Sequence, residues 1–150
     1  MELKIKNWEK GLTDGLEVEF INESPPEGDY YDWRPSNLIT KFSTNEIAGG
    51  IVKARDIPVS YDKIEYHDDF EAFYFVSGEG VMLFCDISGG EPDNFLMLRV
   101  KEGMKLSVAP DKAHYVPIST KKGETIEAVV ISPKMNTYFI DLKENITAAE

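Results

Sequence analysis

Short stretches in which apolar and polar residues alternate dominate the chain and predict β-strands rather than helices. Leu16 to Ile21 alternates along its length, and Glu71 to Val76 is rich in the aromatic residues that strands favour. Further apolar or alternating runs occupy Val81–Ile87, Phe95–Val100, Ile126–Ser132 and Thr137–Leu142. Turns rich in Gly, Pro and Asp separate these runs, so the pattern predicts an all-β barrel or sandwich.

Helical signals are few and lie outside the strand runs. Trp8 to Gly15 is expected to form a turn or a short helix, and Glu144 to Glu150 a second short helix or a frayed end. The segment Asn22 to Pro35 has no periodicity and is predicted to be a long loop. Its aromatic residues, Tyr30, Tyr31 and Trp33, are expected to pack against a pocket mouth or a partner subunit.

Composition narrows the class of protein. With 150 residues we expect one domain, 1–150, with strands and the aromatic loop in 1–48, a barrel core in 49–142 and a tail in 143–150. The net charge of −11 argues against nucleic acids and anionic membranes as partners. The start, MELKIKNWEK, lacks a signal-peptide pattern, no run approaches the ~20 apolar residues of a membrane span, and Cys85 stands alone in an apolar run. A cytoplasmic protein with a buried thiol is therefore expected.

Candidate chemistry centres on the two histidines of the chain, His67 and His114. Residues two apart on a strand share a face, so Glu65 and His67 point the same way, and Glu71 begins the next strand after a tight turn. A carboxylate among phenylalanines, as at Glu71, is costly to bury unless it is paired or coordinated. We therefore expect these carboxylates and His67 to converge, with His114 arriving from a later hairpin.

These residues resemble the two sequence motifs of the cupins. Glu65-x-His67-x3-Glu71-x6-Gly78 is similar to the first motif, and Gly103 and His114 keep the spacing of the second. Ala109 and Asp111 stand where that second motif has Pro and Gly. The resemblance implies a single-domain cupin jelly-roll β-barrel with few short helices and a site inside it, and it implies a homodimer.

The metal ligands implied by this resemblance are His67, Glu71 and His114. Glu65 stands where the family has its first histidine, so the set matches the two-histidine, one-carboxylate triad that suits Fe(II), Mn(II) and similar ions. Glu65 is either a fourth ligand or a hydrogen-bond acceptor for a ligand histidine. The expected cofactor is a divalent metal ion: Mn, Fe, Ni or Zn.

Within the cupins, the layout from Gly49 to Ile118 is similar to the ureidoglycolate lyase branch. The matching stretches are Glu65-Tyr66-His67, Glu71-Ala72-Phe73, Gly89 to Asp93 and Ala113-His114. This similarity implies a lyase or hydrolase of a small ureido or hydroxy acid, with Glu71 and His67 in catalytic roles. Because arginine suits carboxylate substrates, Arg55 is the first candidate for substrate binding and Arg34 the second.

Two other functions stay open at this point. One is a non-catalytic cupin module that binds or senses a small polar ligand. The other is a metal-free enzyme in which Glu71 acts as general base beside His67. For each histidine, an ordinary structural role is the simplest competing explanation.

Overall fold

The computed structural model describes residues 1–149 of the chain, and more than half of these residues lie in strands. Within this range the helical part is a single 3₁₀ turn at Ile21–Glu23. The strands are β1 (Glu2–Lys6), β2 (Leu16–Phe20), β3 (Ile47–Ala54), β4 (Ser60–His67), β5 (Glu71–Ser77), β6 (Glu79–Ser88), β7 (Glu91–Lys101), β8 (Met104–Val108), β9 (Ala113–His114), β10 (Ile118–Ser119), β11 (Ile126–Pro133) and β12 (Thr137–Ala149).

The larger sheet, here called sheet A, has the strand order β10-β6-β7-β1-β12-β4-β9. Because β9 also pairs with β6, six strands form a closed ring of pairings in the order β6, β7, β1, β12, β4 and β9. Strand β1 joins this ring in parallel with both β7 and β12, whereas the other pairings are antiparallel. The N- and C-terminal strands are thereby integrated into one sheet.

The smaller sheet, sheet B, has the order β2-β8-β5-β11-β3 and is antiparallel throughout. At one edge, the carboxylate of Glu19 on β2 accepts hydrogen bonds from Ser36 and Asn37, so the following segment lies alongside that edge. At the other edge, β3 pairs with β11 alone among the described residues. Sheet B and sheet A together form the all-β jelly roll that the sequence predicts.

Two apolar cores lie on opposite faces of β6 and β7. The first fills the space between the sheets and includes Phe73, Phe75, Met82 and Phe84. The second takes its members from the ring strands of sheet A, and Cys85 belongs to it. Alternate residues of β6 enter different cores, which explains why this strand is one continuous apolar run. Burial raises the pKa of the Cys85 thiol to about 12, in agreement with the predicted buried thiol.

The strand predictions are confirmed, and the C-terminal helix prediction is wrong. Each of the apolar runs identified in the sequence lies within or overlaps a strand of the model. Residues Glu144 to Ala149 continue β12, because Ile146 packs in the second core and Thr147 pairs with Glu2. The predicted final position, Glu150, lies outside the described residues. Trp8 to Gly15 forms turns, the first of the two alternatives.

The aromatic loop does not pack against a pocket of its own chain, and its packing against a partner subunit stays a prediction. Tyr30 is 94% exposed, and Tyr31 and Trp33 are also exposed. The loop is closed by two backbone hydrogen bonds between Glu27 and Trp33 rather than by burial of its rings. Separately, the described residues contain no helix of the length and apolar character that a membrane crossing requires.

Candidate metal centre

The four residues singled out in the sequence meet between the two sheets at one end of the barrel. Glu65 and His67 end β4, Glu71 begins β5, and His114 lies on β9. In the pairing of sheet A, His114 is directly opposite Glu65 on one side and Phe84 on the other. This short strand therefore carries His114 to the carboxylates of the neighbouring hairpin.

Two turns hold these strand ends in place. In the turn between His67 and Glu71, the carboxylate of Asp69 accepts a hydrogen bond of 2.7 Å from the backbone N–H of Phe70. In the second turn, the backbone N–H of Asp111 donates to the carbonyl of His67. Asp111 has φ of +66°, a conformation that Gly adopts freely and Asp tolerates better than most residues. This explains how Asp111 replaces the glycine of the second motif.

His114 is held in one orientation by two hydrogen bonds. It is 1% exposed, and its Nδ1 lies 3.1 Å from the carbonyl oxygen of Lys112. Because a carbonyl only accepts, Nδ1 carries a proton, and Nε2 faces Oε1 of Glu71 at 2.9 Å. Burial lowers the pKa of His114, but the hydrogen bond and charge of Glu71, with smaller contributions from Lys112 and Glu65, raise it above its ordinary value.

The ring of His67 is also oriented through Nδ1, but its second nitrogen, Nε2, makes no hydrogen bond within residues 1–149. Its Nδ1 lies 3.3 Å from the carbonyl oxygen of Asn136 and 3.2 Å from Oγ1 of Thr137. Its Nε2 is buried and has no hydrogen-bond partner among residues 1–149. Oε1 of Glu71 is 3.6 Å from that nitrogen, beyond hydrogen-bond distance. A buried polar atom without a partner is rare and calls for an explanation such as a bound ion.

The cluster fits a divalent metal ion. One ligand atom each from Glu65, His67 and His114 lie within 4.8 Å of one another, and Oε1 of Glu71 adjoins both Nε2 atoms. Both histidines direct Nδ1 at backbone carbonyls and Nε2 into the cluster, as ligand histidines do in metal sites. Two imidazole nitrogens with carboxylate oxygens are a donor set for Mn, Fe, Ni or Zn. The structure thus brings Glu65, His67 and His114 into one group, and it places Glu71, the fourth predicted ligand, beside both histidines.

The predicted arginines do not reach this cluster. Arg55 is exposed and lies just beyond the end of sheet B at which Ala54 pairs with Ile126. Glu71 lies at the opposite end of that sheet, where Gly49 pairs with Ile131. Six residues of strand separate Gly49 from Arg55, a distance of about 20 Å. Arg34 stays in the aromatic loop, where it donates to the carbonyl of Ser24 and pairs with Asp32.

Sequence reasoning missed the groups that orient the histidines. The carbonyls of Lys112 and Asn136 are backbone atoms, so no residue type signals them. Asn136 also lines a polar cleft of about 470 Å³ beside the cluster. The other lining residues are Ser43, Thr44, Asp68, Asp69, Lys134 and Met135.

The two facing sheets, with the four candidate site residues gathered between them, form an all-β jelly roll of the architecture expected from the sequence. No protein-family model and no curated protein matches this chain.

Among solved structures, tomato (Solanum lycopersicum) vicilin is similar, with TM-score 0.49 and 16% identity over 64% of this chain and 26% of that one. Oxalate decarboxylase from Bacillus subtilis, studied for its Mn(II) centres, has a TM-score of 0.47 and 18% identity over 81% of this chain and 31% of that one. Procruciferin from Brassica napus, an 11S globulin, has a TM-score of 0.46 and 12% identity over 65% of this chain and 23% of that one. This chain therefore spans about a quarter to a third of the length of these structures.

Proposed function

We propose that this protein is a divalent-metal-dependent enzyme that acts on a small polar acid. His67, His114, Glu71 and Glu65 would hold the metal, and the bound ion would supply a Lewis acid for a carbonyl or carboxylate oxygen. The observation that carries the proposal is the buried, unpartnered Nε2 of His67, which points at the same space as Nε2 of His114. A metal ion would satisfy that atom.

The residues of the chain have separable roles in this proposal. The carbonyls of Asn136 and Lys112 fix both imidazole rings, so the ligand nitrogens need no reorientation. Phe73 and Phe84 stand around His114, with ring centroids 5.9 and 6.2 Å from its own, and exclude water from the inner side. In the absence of metal, Glu71, whose Oε1 adjoins both Nε2 atoms, is placed to take up or release a proton.

The reaction proposed is lyase-like or hydrolytic cleavage of a small ureido or hydroxy acid, as in the ureidoglycolate lyase branch. No arginine lies at the cluster among the described residues to bind such an acid, so the carboxylate would bind the metal itself. The polar cleft lined by Ser43, Thr44 and Lys134 lies on the Asn136 side of His67, and none of the four cluster side chains lines it, so it is not assigned to the substrate. Arg55 has no part in this version, since it stands at the far end of sheet B.

Elemental analysis tests the metal directly. Protein purified without chelators, and apoprotein reconstituted with Mn, Fe, Ni or Zn, should each contain about one ion per chain. His67→Ala and Glu71→Gln should lower the bound metal, whereas Glu91→Gln, at an exposed carboxylate on β7, should not. Absence of stoichiometric metal in both preparations would refute the proposal. With metal present, loss of ureidoglycolate on incubation and its abolition by a chelator would support the enzyme.

One observation favours a second function, a binding module without turnover. The cluster is nearly closed: His114 is 1%, His67 7% and Glu71 9% exposed. A metal or small ligand held there would exchange slowly with solvent. In that case a small acid should raise the melting temperature and be recovered unchanged after long incubation, whereas the enzyme would convert it.

A further inference from the structure

Lys63 is a half-buried cation that stands next to Glu65 on β4. The two residues are two apart in the strand, so their side chains share one face. Asp141 pairs with Lys63 across the neighbouring strand β12, yet the ammonium group forms no salt bridge and no hydrogen bond with any of residues 1–149. The positive charge of Lys63 is therefore available to an anion.

The ring contacts of Lys63 place its ammonium group close to the row of residues that contains Glu65. In that row Glu65 pairs with Phe139 of β12 on one side and with His114 of β9 on the other. Nζ of Lys63 lies 6.0 Å from the ring centroid of Phe139 and 5.6 Å from that of Tyr115, which follows His114. The ammonium group thus lies between rings from both flanks of Glu65.

The cluster opens toward solvent on this same side. The exposed fraction of the side chain rises from 2% at His114 to 19% at Glu65, and Phe139, opposite Glu65, is 60% exposed. Thr137, two residues before Phe139 on the same face of β12, is exposed as well. A small ligand that enters the cluster from solvent therefore passes Phe139 and Lys63.

Given the metal-dependent function proposed above, on which this inference rests, we propose that Lys63 binds the carboxylate of the substrate. One carboxylate oxygen of a small hydroxy or ureido acid binds the metal, and the other accepts a hydrogen bond from the ammonium group of Lys63. Such a bond between two charged groups is stronger than one between neutral groups. Lys63 thereby supplies the cation that neither Arg34 nor Arg55 brings to the cluster.

The two rings suit Lys63 to this role. Aromatic faces attract an ammonium group, and the aliphatic stem of lysine packs well beside them. Phe139 and Tyr115 can therefore hold the side chain in place without neutralising it, as a carboxylate partner would. The charge stays free until an anionic ligand arrives.

Two other lysines near the site are less suited to bind the acid. The ammonium group of Lys112 lies 2.7 Å from Asp86, and its side chain is only 3% exposed. Lys134 lines the polar cleft, which none of the four cluster side chains lines. Of these three lysines, Lys63 has both an unpaired charge and a position on the open side of the cluster.

Isothermal titration calorimetry with glycolate, a small hydroxy acid, tests the proposal. Each protein is first reconstituted with the metal found by elemental analysis. Lys63→Met keeps the stem between the rings but removes the charge, so it should bind glycolate at least about tenfold more weakly at unchanged metal content. Lys63→Arg should stay within about threefold of the wild-type protein. Lys134→Met is the matched control, because it removes the same charge on the other side of His67, and it should bind glycolate normally.

The outcomes separate this proposal from the metal-dependent function. Metal-loaded wild-type protein that does not bind glycolate, or that binds it no better than Lys63→Met does, overturns the role of Lys63 and leaves the metal site standing. Weaker binding in Lys134→Met alone moves the acid to the polar cleft and also overturns that role. Loss of metal from Lys63→Met would show that Lys63 supports the cluster rather than the substrate. Wild-type protein without stoichiometric metal refutes the proposed function, and the role of Lys63 falls with it.

Discussion

Replacement of His67 by Phe should separate the stability of the fold from metal binding. In the metal-free protein, Nε2 of His67 is buried without a hydrogen-bond partner among the described residues. Burial of an unsatisfied polar atom costs about 1–3 kcal/mol. Phe removes that atom, and it also removes the Nδ1 contact to the carbonyl of Asn136, which is worth about 0.5–1.5 kcal/mol.

The difference between these two effects sets the expected magnitude. Without metal, His67→Phe should lie between about 0.5 kcal/mol less stable and about 2.5 kcal/mol more stable than the wild-type protein. For a domain of this size, the upper bound corresponds to a rise of about 5–10 °C in melting temperature. A Phe ring is larger than imidazole, so His67→Leu serves as a second variant in case the ring crowds His114, whose centroid lies 5.3 Å away.

Metal should reverse the order of stability. At a hundred times its dissociation constant, a metal ion stabilises the wild-type protein by about 2.7 kcal/mol, whereas a variant that has lost a ligand gains much less. The assay is thermal unfolding in a chelator and in each of Mn²⁺, Fe²⁺, Ni²⁺ and Zn²⁺. The reasoning fails if both variants lose more than about 1 kcal/mol in the chelator, or if metal stabilises them as much as the wild-type protein.

Three further predictions concern contacts that support the site. Asp86→Asn should lower the free energy of unfolding by about 2–3 kcal/mol, because the buried ammonium group of Lys112, whose side chain is 3% exposed, loses its anionic partner. The partial exposure of Asp86 keeps this loss below that of a fully buried ion pair. Burial raises the pKa of Asp86, but hydrogen bonds from Lys112 and Asn94 lower it more, so its pKa lies below the ordinary 3.8. In denaturant titrations, the advantage of the wild-type protein over Asp86→Asn should therefore be full above about pH 4 and shrink at lower pH, and a constant difference would contradict this. Asp69→Asn weakens the contact with Ser43 and should speed limited proteolysis within residues 36–46, and an unchanged cleavage rate would exclude that role. Gly78→Ala should cost at least about 2 kcal/mol in chemical unfolding, because φ is +86° and a Cβ would lie 2.3 Å from the carbonyl oxygen of Thr125; a smaller loss would show that the turn relaxes.

The strand pattern could be predicted from the sequence because alternation records which face of a strand is buried. Leu16 to Ile21 and Glu71 to Val76 each bury one set of alternate positions against the other sheet. The C-terminal strand escaped prediction for the opposite reason. Residues 143–149 gain their strand structure from pairing with β1, at the other end of the sequence, and no local pattern carries that information.

Part of the candidate site was also predictable. The spacing of Glu65, His67 and Glu71 across a tight turn places these residues together by local geometry. His114 joined the prediction through the resemblance to the second cupin motif, since pairing of β9 with both β4 and β6 is a long-range property. The orienting carbonyls could not be predicted, because backbone atoms are the same at every position.

The carboxylate at position 65 determines which chemistry the cluster can support. Of the four side chains, Glu65 is the most exposed, at 19% compared with 12% for Glu71, 8% for His67 and 2% for His114. A ligand would therefore approach past Glu65, while Glu71 stays fixed against both imidazoles on the inner side. In the proposed metal site, a carboxylate at this outer corner would supply a hard oxygen donor and a negative charge beside the entrance. Such a donor would favour Mn(II) or Fe(II) over softer ions, and its charge would oppose binding of an acidic substrate unless the metal offset it. Metal content and substrate binding should consequently be lost together in His67→Ala, which a merely structural role for the cluster does not require.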